Sequence, residues 1–325
     1  MADSNCPGAP FNLGISYHTF ANEYCSAKWS LEDLMELSTY LGRGIELVGP
    51  SHQRGFPYNT PDFERRFKSN VDRFGLTPVC FGSYADPFVR PDRAASEDEL
   101  YDYTVPQLET AAALGFGLVR LQYFVSAVAE RLLPIAERLG VRMGYELHAP
   151  LTFEAEPTHH LIEQIERLDS PYLGLIPDCG IFARSVPALH VKAAHGRGVA
   201  SEIIEEALRL WHRNVLLGDA LPGLREMGMA ERDIDVIEIF WGCAGQSDPA
   251  LLKDFAKHVI HVHGKYFSIV DDDEPDVRYA EVVSALKEAR YSGWLMTEYE
   301  GDAQANGFEI AYAHQNLIRM LAAKA

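Results

Sequence analysis

Eight short apolar runs, each followed by a longer stretch with helix-capping or amphipathic signals, predict an α/β chain folded as a (β/α)8 TIM barrel. The rhythm breaks once, between the sixth and seventh runs, and there a helical insertion is expected. No internal repeat, low-complexity tract or linker argues for a second domain, so residues 1–325 read as one barrel with 183–245 as its insertion. With 325 residues and 47% hydrophobic content, the chain has enough material for one large core.

Taken in order, the first strand is expected at 13–18, followed by a helix capped by Ser30 with Leu31, Leu34, Met35 and Leu41 on one face. Strand two reads at 44–49. A polar helix near 61–74 leads to strand three at 77–84, and a long helix ending at Gly115 leads to strand four at 118–122. Strands five and six fall at 142–148 and 173–178, joined by a helix around Pro157 to Leu168. Within the insertion, Ile204, Leu208 and Trp211 share a helical face, and 237–241 offers a weak strand signal. Strands seven and eight are expected at 259–265 and 293–300. The last helix carries Ile310, Ala313, Leu317, Met320 and Leu321 on one face.

The formal net charge of -18, with no run of Lys or Arg, opposes a nucleic-acid backbone or an anionic membrane as partner. No apolar run approaches membrane-spanning length, and the amino terminus lacks the basic and apolar segments of a signal peptide. Five cysteines (Cys6, Cys25, Cys80, Cys179, Cys243), odd in number and without a C-x-x-C pair, fit reduced thiols in the cytoplasm.

Four consecutive strands end in metal-ligand chemistry: Glu146, Asp178, His263 and Glu298, one each from strands five to eight. Side chains at the carboxyl ends of barrel strands converge on one mouth. Three carboxylates and one imidazole form an oxygen-rich set, which suits Mn2+, or Mg2+, better than zinc. His148, two residues past Glu146 on the same face, is the candidate general base, since imidazole titrates near neutrality. His261 lies one layer deeper than His263, where a supporting or core role is expected. Lys265 and Glu300 stand two residues beyond His263 and Glu298 and are candidate substrate contacts, as are His18, Gln122 and Arg120. The acidic tract Asp271-Asp-Asp-Glu274 lacks calcium-loop spacing and reads as a solvated turn.

The order Glu146, Asp178, His263, Glu298 on strands five to eight resembles the xylose-isomerase-like barrels, sugar isomerases, epimerases, dehydratases and lyases that bind one divalent ion. Within that group, five segments resemble the catalytic α subunits of bacterial C-glycoside deglycosidases: Gly44-Ile-Glu-Leu-Val-Gly-Pro50, Cys80-Phe-Gly-Ser-Tyr-Ala-Asp-Pro87, Val105-Pro-Gln-Leu108, His261-Val-His-Gly-Lys265 and Glu298-Tyr-Glu-Gly301. The resemblance implies a Mn2+-dependent barrel that pairs with a small β-sandwich subunit in a hetero-oligomer and acts on 3-oxo-glycosides. One position departs from it: Asp302 stands where the family pattern has His.

On that resemblance the expected reaction is a lyase step: removal of the C2 proton of a 3-oxo-glycoside, then elimination of the aglycone with cleavage of the glycosidic C–C bond. A ketose or keto-sugar isomerase or epimerase is the alternative. Ketose 3-epimerases typically carry Glu, His and Arg where this chain has Thr152, Ile181 and Ile269. A non-catalytic oligomer subunit predicts a degraded ligand set, and all four ligands are present. The abasic-site DNA endonucleases that share the barrel need more strand-end histidines, and the charge of -18 opposes DNA.

Overall fold

A computed structural model describes residues 8, 10–88 and 90–324. Eight parallel strands run in the order β6-β5-β4-β3-β2-β1-β8-β7. They are β1 Asn12–Ser16, β2 Gly44–Val48, β3 Thr77–Gly82, β4 Leu118–Leu121, β5 Arg142–Leu147, β6 Leu173–Pro177, β7 Val262–Tyr266 and β8 Trp294–Tyr299. The remaining seam is bridged by the parallel pairs Leu175↔Val259 and Asp178↔His263, with Ile260 N donating to Leu175 O at 3.0 Å. Helices alternate with the strands, and the chain is a (β/α)8 TIM barrel.

Local chemistry explains the boundaries. Ser30 and Ser96 open helices Leu31–Leu37 and Glu97–Leu114 with complete capping boxes, closed by Asp33 and Glu99. Glu97–Leu114 stops at Gly115, whose φ of 91° is a left-handed cap that Gly adopts without steric cost. Strands β2, β6 and β7 are buried along their whole length; β6 accordingly reads as an apolar run, β2 as one broken only by Glu46, and β7 keeps His263 and Lys265 because both are paired inside the barrel.

Three sequence expectations differ from the structure. Residues 237–241 lie inside helix Ile234–Cys243, because Ile237, Phe240 and Trp241 pack as one helical face of the insertion. That insertion consists of helices Ala188–Arg197, Ser201–His212, Leu217–Glu226 and Ile234–Cys243. On the last helix, Gly307–Lys324, the inward face carries Ala311, His314, Gln315, Leu317, Ile318 and Ala322, whereas Met320 is exposed. The two polar residues are tolerated there because each is used. His314 stacks on Tyr266 with centroids 4.0 Å apart, and Gln315 Nε2 donates to the carbonyls of Gly14 and Leu41. In the acidic tract, Asp271 to Asp273 form an exposed turn, but Glu274 is buried and accepts from the backbone N–H of Phe267, Asp276 and Val277.

Candidate metal and substrate site

The barrel brings one donor atom each of Glu146, Asp178, His263 and Glu298 within 4.8 Å of one another. His263 Nδ1 lies 3.0 Å from Glu146 Oε1 and 3.0 Å from Glu298 Oε2. Neither contact has hydrogen-bond alignment, so Nδ1, fully buried, has no hydrogen-bond partner; the same holds for Asp178 Oδ2. Leaving a buried Nδ1 without a hydrogen bond costs on the order of 1–3 kcal/mol, and Asp178 Oδ2 has the ion pair with Lys265 Nζ at 3.3 Å in place of one. A divalent cation removes that cost. Neighbouring donors in an octahedral shell with bonds of roughly 2.1 Å sit roughly 3.0 Å apart, and the two distances from Nδ1 match that separation. The donor set therefore fits a hard divalent ion.

Each carboxylate of the cluster is held by a second contact. Ser16 Oγ donates to Glu298 Oε1 at 3.2 Å, Gly180 N donates to Asp178 Oδ1 at 2.7 Å, and Arg120 Nη1 donates to Glu146 Oε2 at 2.7 Å. Burial works against every charge in the cluster, and the neighbours decide the outcome. Burial raises the Glu146 carboxyl, but Arg120 and His263 overcome it and hold the group well below the ordinary range. Burial lowers the His263 imidazole, but Glu298 and Glu46 raise it well above the ordinary value. Asp178 is pushed up to about 6, since burial outweighs the opposing pull of Lys265.

Around this centre lies a cavity of about 430 Å³ at the carboxyl mouth, lined by His18, Arg120, Gln122, Glu146, His148, Glu298 and Glu300 among others. His148 Nδ1 donates to the Ala149 carbonyl at 2.9 Å, and Lys265 Nζ donates to His148 Nε2 at 2.6 Å. Lys265, fully buried, also pairs with Asp178 Oδ2 at 3.3 Å and Glu300 Oε2 at 2.9 Å. His18 sits just past β1 in the turn Tyr17–Phe20, its Nε2 3.6 Å from Glu300 Oε1. Gln122 Oε1 accepts from Ala85 N at 2.7 Å. A larger cavity of about 560 Å³ opens at the opposite end, lined by strand starts such as Thr77, Arg142 and Trp294. In this fold that end serves stability, and the chemistry belongs to the carboxyl mouth.

Sequence reasoning passed over Glu46 as a site residue. It is fully buried in the middle of β2, and its Oε2 accepts from His263 Nε2 at 2.7 Å while its Oε1 accepts from Arg120 Nε at 3.3 Å. The signal was a lone carboxylate inside an otherwise apolar strand, which burial permits only when the charge is paired. His261 lies beneath His263, its Nε2 3.8 Å from Glu46 Oε2, and groups with Glu46 and buried Cys80.

Comparison with known proteins bears on the family and the fold. A family model described as a xylose isomerase-like TIM barrel matches residues 41–185. The chain is 32% identical to the 3'-dehydrocarminate deglycosidase alpha subunit of a Microbacterium species, over 95% of this chain and 94% of the relative. It is 31% identical to a C-glycoside deglycosidase alpha subunit of Arthrobacter globiformis, over 98% of this chain and 92% of the relative. Among solved structures, an L-ribulose 3-epimerase superposes with a TM-score of 0.58 at 11% identity, covering 96% of this chain and 94% of that one, which is a likeness of fold. No helix among the described residues is long and apolar enough to cross a membrane. With its fold, its strand-end donor set and full-length identity above 30%, this chain belongs to the C-glycoside deglycosidase alpha subunits within the xylose isomerase-like TIM-barrel family.

Proposed function

We propose that this chain is the catalytic α subunit of a divalent-metal-dependent lyase, loaded with Mn2+ or Mg2+, that cleaves the glycosidic C–C bond of 3-oxo-glycosides. Its partner is a small β-sandwich subunit in a hetero-oligomer, and its compartment is the cytoplasm. The observation that carries the reading is the buried donor cluster of Glu146, Asp178, His263 and Glu298, in which His263 Nδ1 has no hydrogen-bond partner, beside a cavity that His148 also lines. The relatives supply the direction: both are named deglycosidase subunits, and the name of one specifies a 3'-dehydro substrate.

A ketone at C3 acidifies the proton at C2. When bound, the divalent ion supplies Lewis-acid stabilisation of the negative charge that develops on the ketone oxygen. His148 is the base. Its Nδ1–H is committed to the Ala149 carbonyl, so Nε2 carries the lone pair that takes the C2 proton. Lys265 gives up its hydrogen bond to Nε2 as the substrate enters and keeps its two carboxylate partners, Asp178 and Glu300. The C2–H electrons form the enolate. Its collapse restores the ketone, makes the C1–C2 double bond and breaks the bond from C1 to the aglycone carbon, which leaves with its electron pair and takes up a proton from water, while His148 returns the C2 proton to solvent. Glu300, His18 and the Gln122 amide line the rim where sugar hydroxyls bind.

A keto-sugar isomerase or epimerase shares the fold but needs a second acid or base across the ring. Thr152, Ile181 and Ile269 occupy the positions where ketose 3-epimerases carry such polar groups, and Ile181 is fully buried. The deciding experiment is turnover of a panel of 3-oxo-glycosides with product identification by mass spectrometry. Release of the free aglycone is expected, abolished by a chelator and restored better by Mn2+ than by Ca2+. Isomerised sugar with its aglycone still attached would replace the lyase by an epimerase.

A further inference from the structure

We infer that Glu46, acting with Arg120, positions two of the four metal ligands and sets the affinity of the site for its ion; the inference rests on the metal reading above. Glu46 is fully buried and donates nothing to the cluster directly. Its Oε2 accepts from His263 Nε2 at 2.7 Å, and its Oε1 accepts from Arg120 Nε at 3.3 Å. Arg120 in turn gives Nη1 to Glu146 Oε2 at 2.7 Å. One carboxylate on β2 thereby reaches a ligand on β7 directly and a ligand on β5 through β4.

Two consequences follow. A proton on His263 Nε2, claimed by Glu46, leaves the Nδ1 lone pair facing Glu146 and Glu298, and hydrogen bonding to a carboxylate makes that nitrogen a stronger donor. Arg120 occupies Oε2 of Glu146, so that Oε1, the oxygen 3.0 Å from His263 Nδ1, is the one left for the ion. His261 is the weaker claimant on the same oxygen, its Nε2 standing 3.8 Å away against 2.7 Å for His263. The chain also leaves space for the bracket. A Cβ at Gly82, at the end of β3, would lie 2.9 Å from Arg120 Nη2 and 3.2 Å from Glu46 Oε1. Any side chain there would push the two apart.

The test is the dissociation constant for Mn2+, read from the electron paramagnetic resonance of free and bound ion, for the wild type, Glu46→Gln, Gly82→Ala and the control Glu274→Gln. Glu46→Gln keeps the shape but removes the charge, and is expected to weaken Mn2+ binding about 10- to 100-fold and to alter the spectrum of the bound ion. Gly82→Ala displaces the bracket without touching an ionisable group, and a smaller weakening is expected. Glu274→Gln, a buried acid that ties a loop away from the cluster, is expected to change melting temperature and leave the Mn2+ constant unmoved. Wild-type affinity in Glu46→Gln overturns the inference. If Glu46→Gln does not fold, wild-type affinity in Gly82→Ala overturns it instead. A wild type that binds neither Mn2+ nor Mg2+ removes the metal reading itself, which a change confined to the variants does not.

Discussion

His148→Ala separates proton transfer from metal binding. In the structure His148 touches none of the four clustered donors; its ring nitrogens meet the Ala149 carbonyl and Lys265 Nζ. Truncation takes one acceptor from Lys265, which keeps Asp178 at 3.3 Å and Glu300 at 2.9 Å, so the charge around the ion is unchanged. Metal content should therefore match the wild type. The rate should fall about 10²- to 10⁴-fold, the ordinary worth of a positioned base, or about 3–5 kcal/mol of barrier. The assay is wash-in of solvent deuterium at C2 of a 3-oxo-glycoside, run beside aglycone release and elemental analysis of the protein. Glu146→Ala is the contrast: it opens the donor set and leaves Arg120 with Glu46 as its remaining carboxylate, so metal and activity should vanish together. If His148→Ala, with a full complement of metal, exchanged C2 or released aglycone at near wild-type rates, the base would have to be sought at Glu300 or Lys265.

Two more outcomes are expected. Burial holds His52 down at about 4 and His314 at about 3, both below the unfolded value of 6.5, so the folded state binds fewer protons than the unfolded one across that window. Their contribution is complete above 6.5 and lost as pH falls, about 2 kcal/mol for each at pH 5. The buried carboxyls Glu274, pushed up to about 7, and Asp178, pushed up to about 6, act with the opposite sign in that window, so the readout is the difference between proteins: His314→Phe, which keeps the ring on Tyr266, should have a slope of melting temperature between pH 7 and 5 shifted toward higher stability at pH 5 than the wild type. An unchanged slope would show that His314 is not held neutral. The barrel should also copurify with a small β-rich chain, and Leu216 at 71% exposure, with Met227 and Ile239, marks the insertion as the docking face to probe by Leu216→Asp; full activity of the isolated barrel, with no second polypeptide by mass spectrometry, would count against a subunit.

Much of the frame was legible because it is written in local chemistry. Ser30 before an apolar face and Gly115 after one mark helix ends through backbone hydrogen bonds that need no tertiary partner. Buried strands announce themselves as apolar runs, and a polar residue at the end of such a run stands out. That is how Glu146, Asp178, His263 and Glu298 could be named together before their donor atoms were seen within 4.8 Å. Where the reading failed, periodicity was the weak link. Residues 237–241 are β-like in composition yet helical, because neighbouring insertion helices bury that face. Met320 fits an apolar stripe and is exposed, while His314 and Gln315 point inward because Tyr266 and the backbone carbonyls of Gly14 and Leu41 receive them.

The sequence by itself determined the strand-helix count, the chemical character of the mouth and the four donors, since each depends on residue type and on position along one strand. Tertiary structure alone decided what those donors rest on. Glu46 and His263 are 217 residues apart, and Arg120 reaches Glu146 and Glu46 from a third strand. A carboxylate in a buried strand states a need for partners but not which ones, because its partners come from barrel closure, a property of the whole sheet. The link from Lys265 to His148 has the same origin: strands β5 and β7 are not paired to each other, and only curvature around the barrel places an ammonium 2.6 Å from an imidazole.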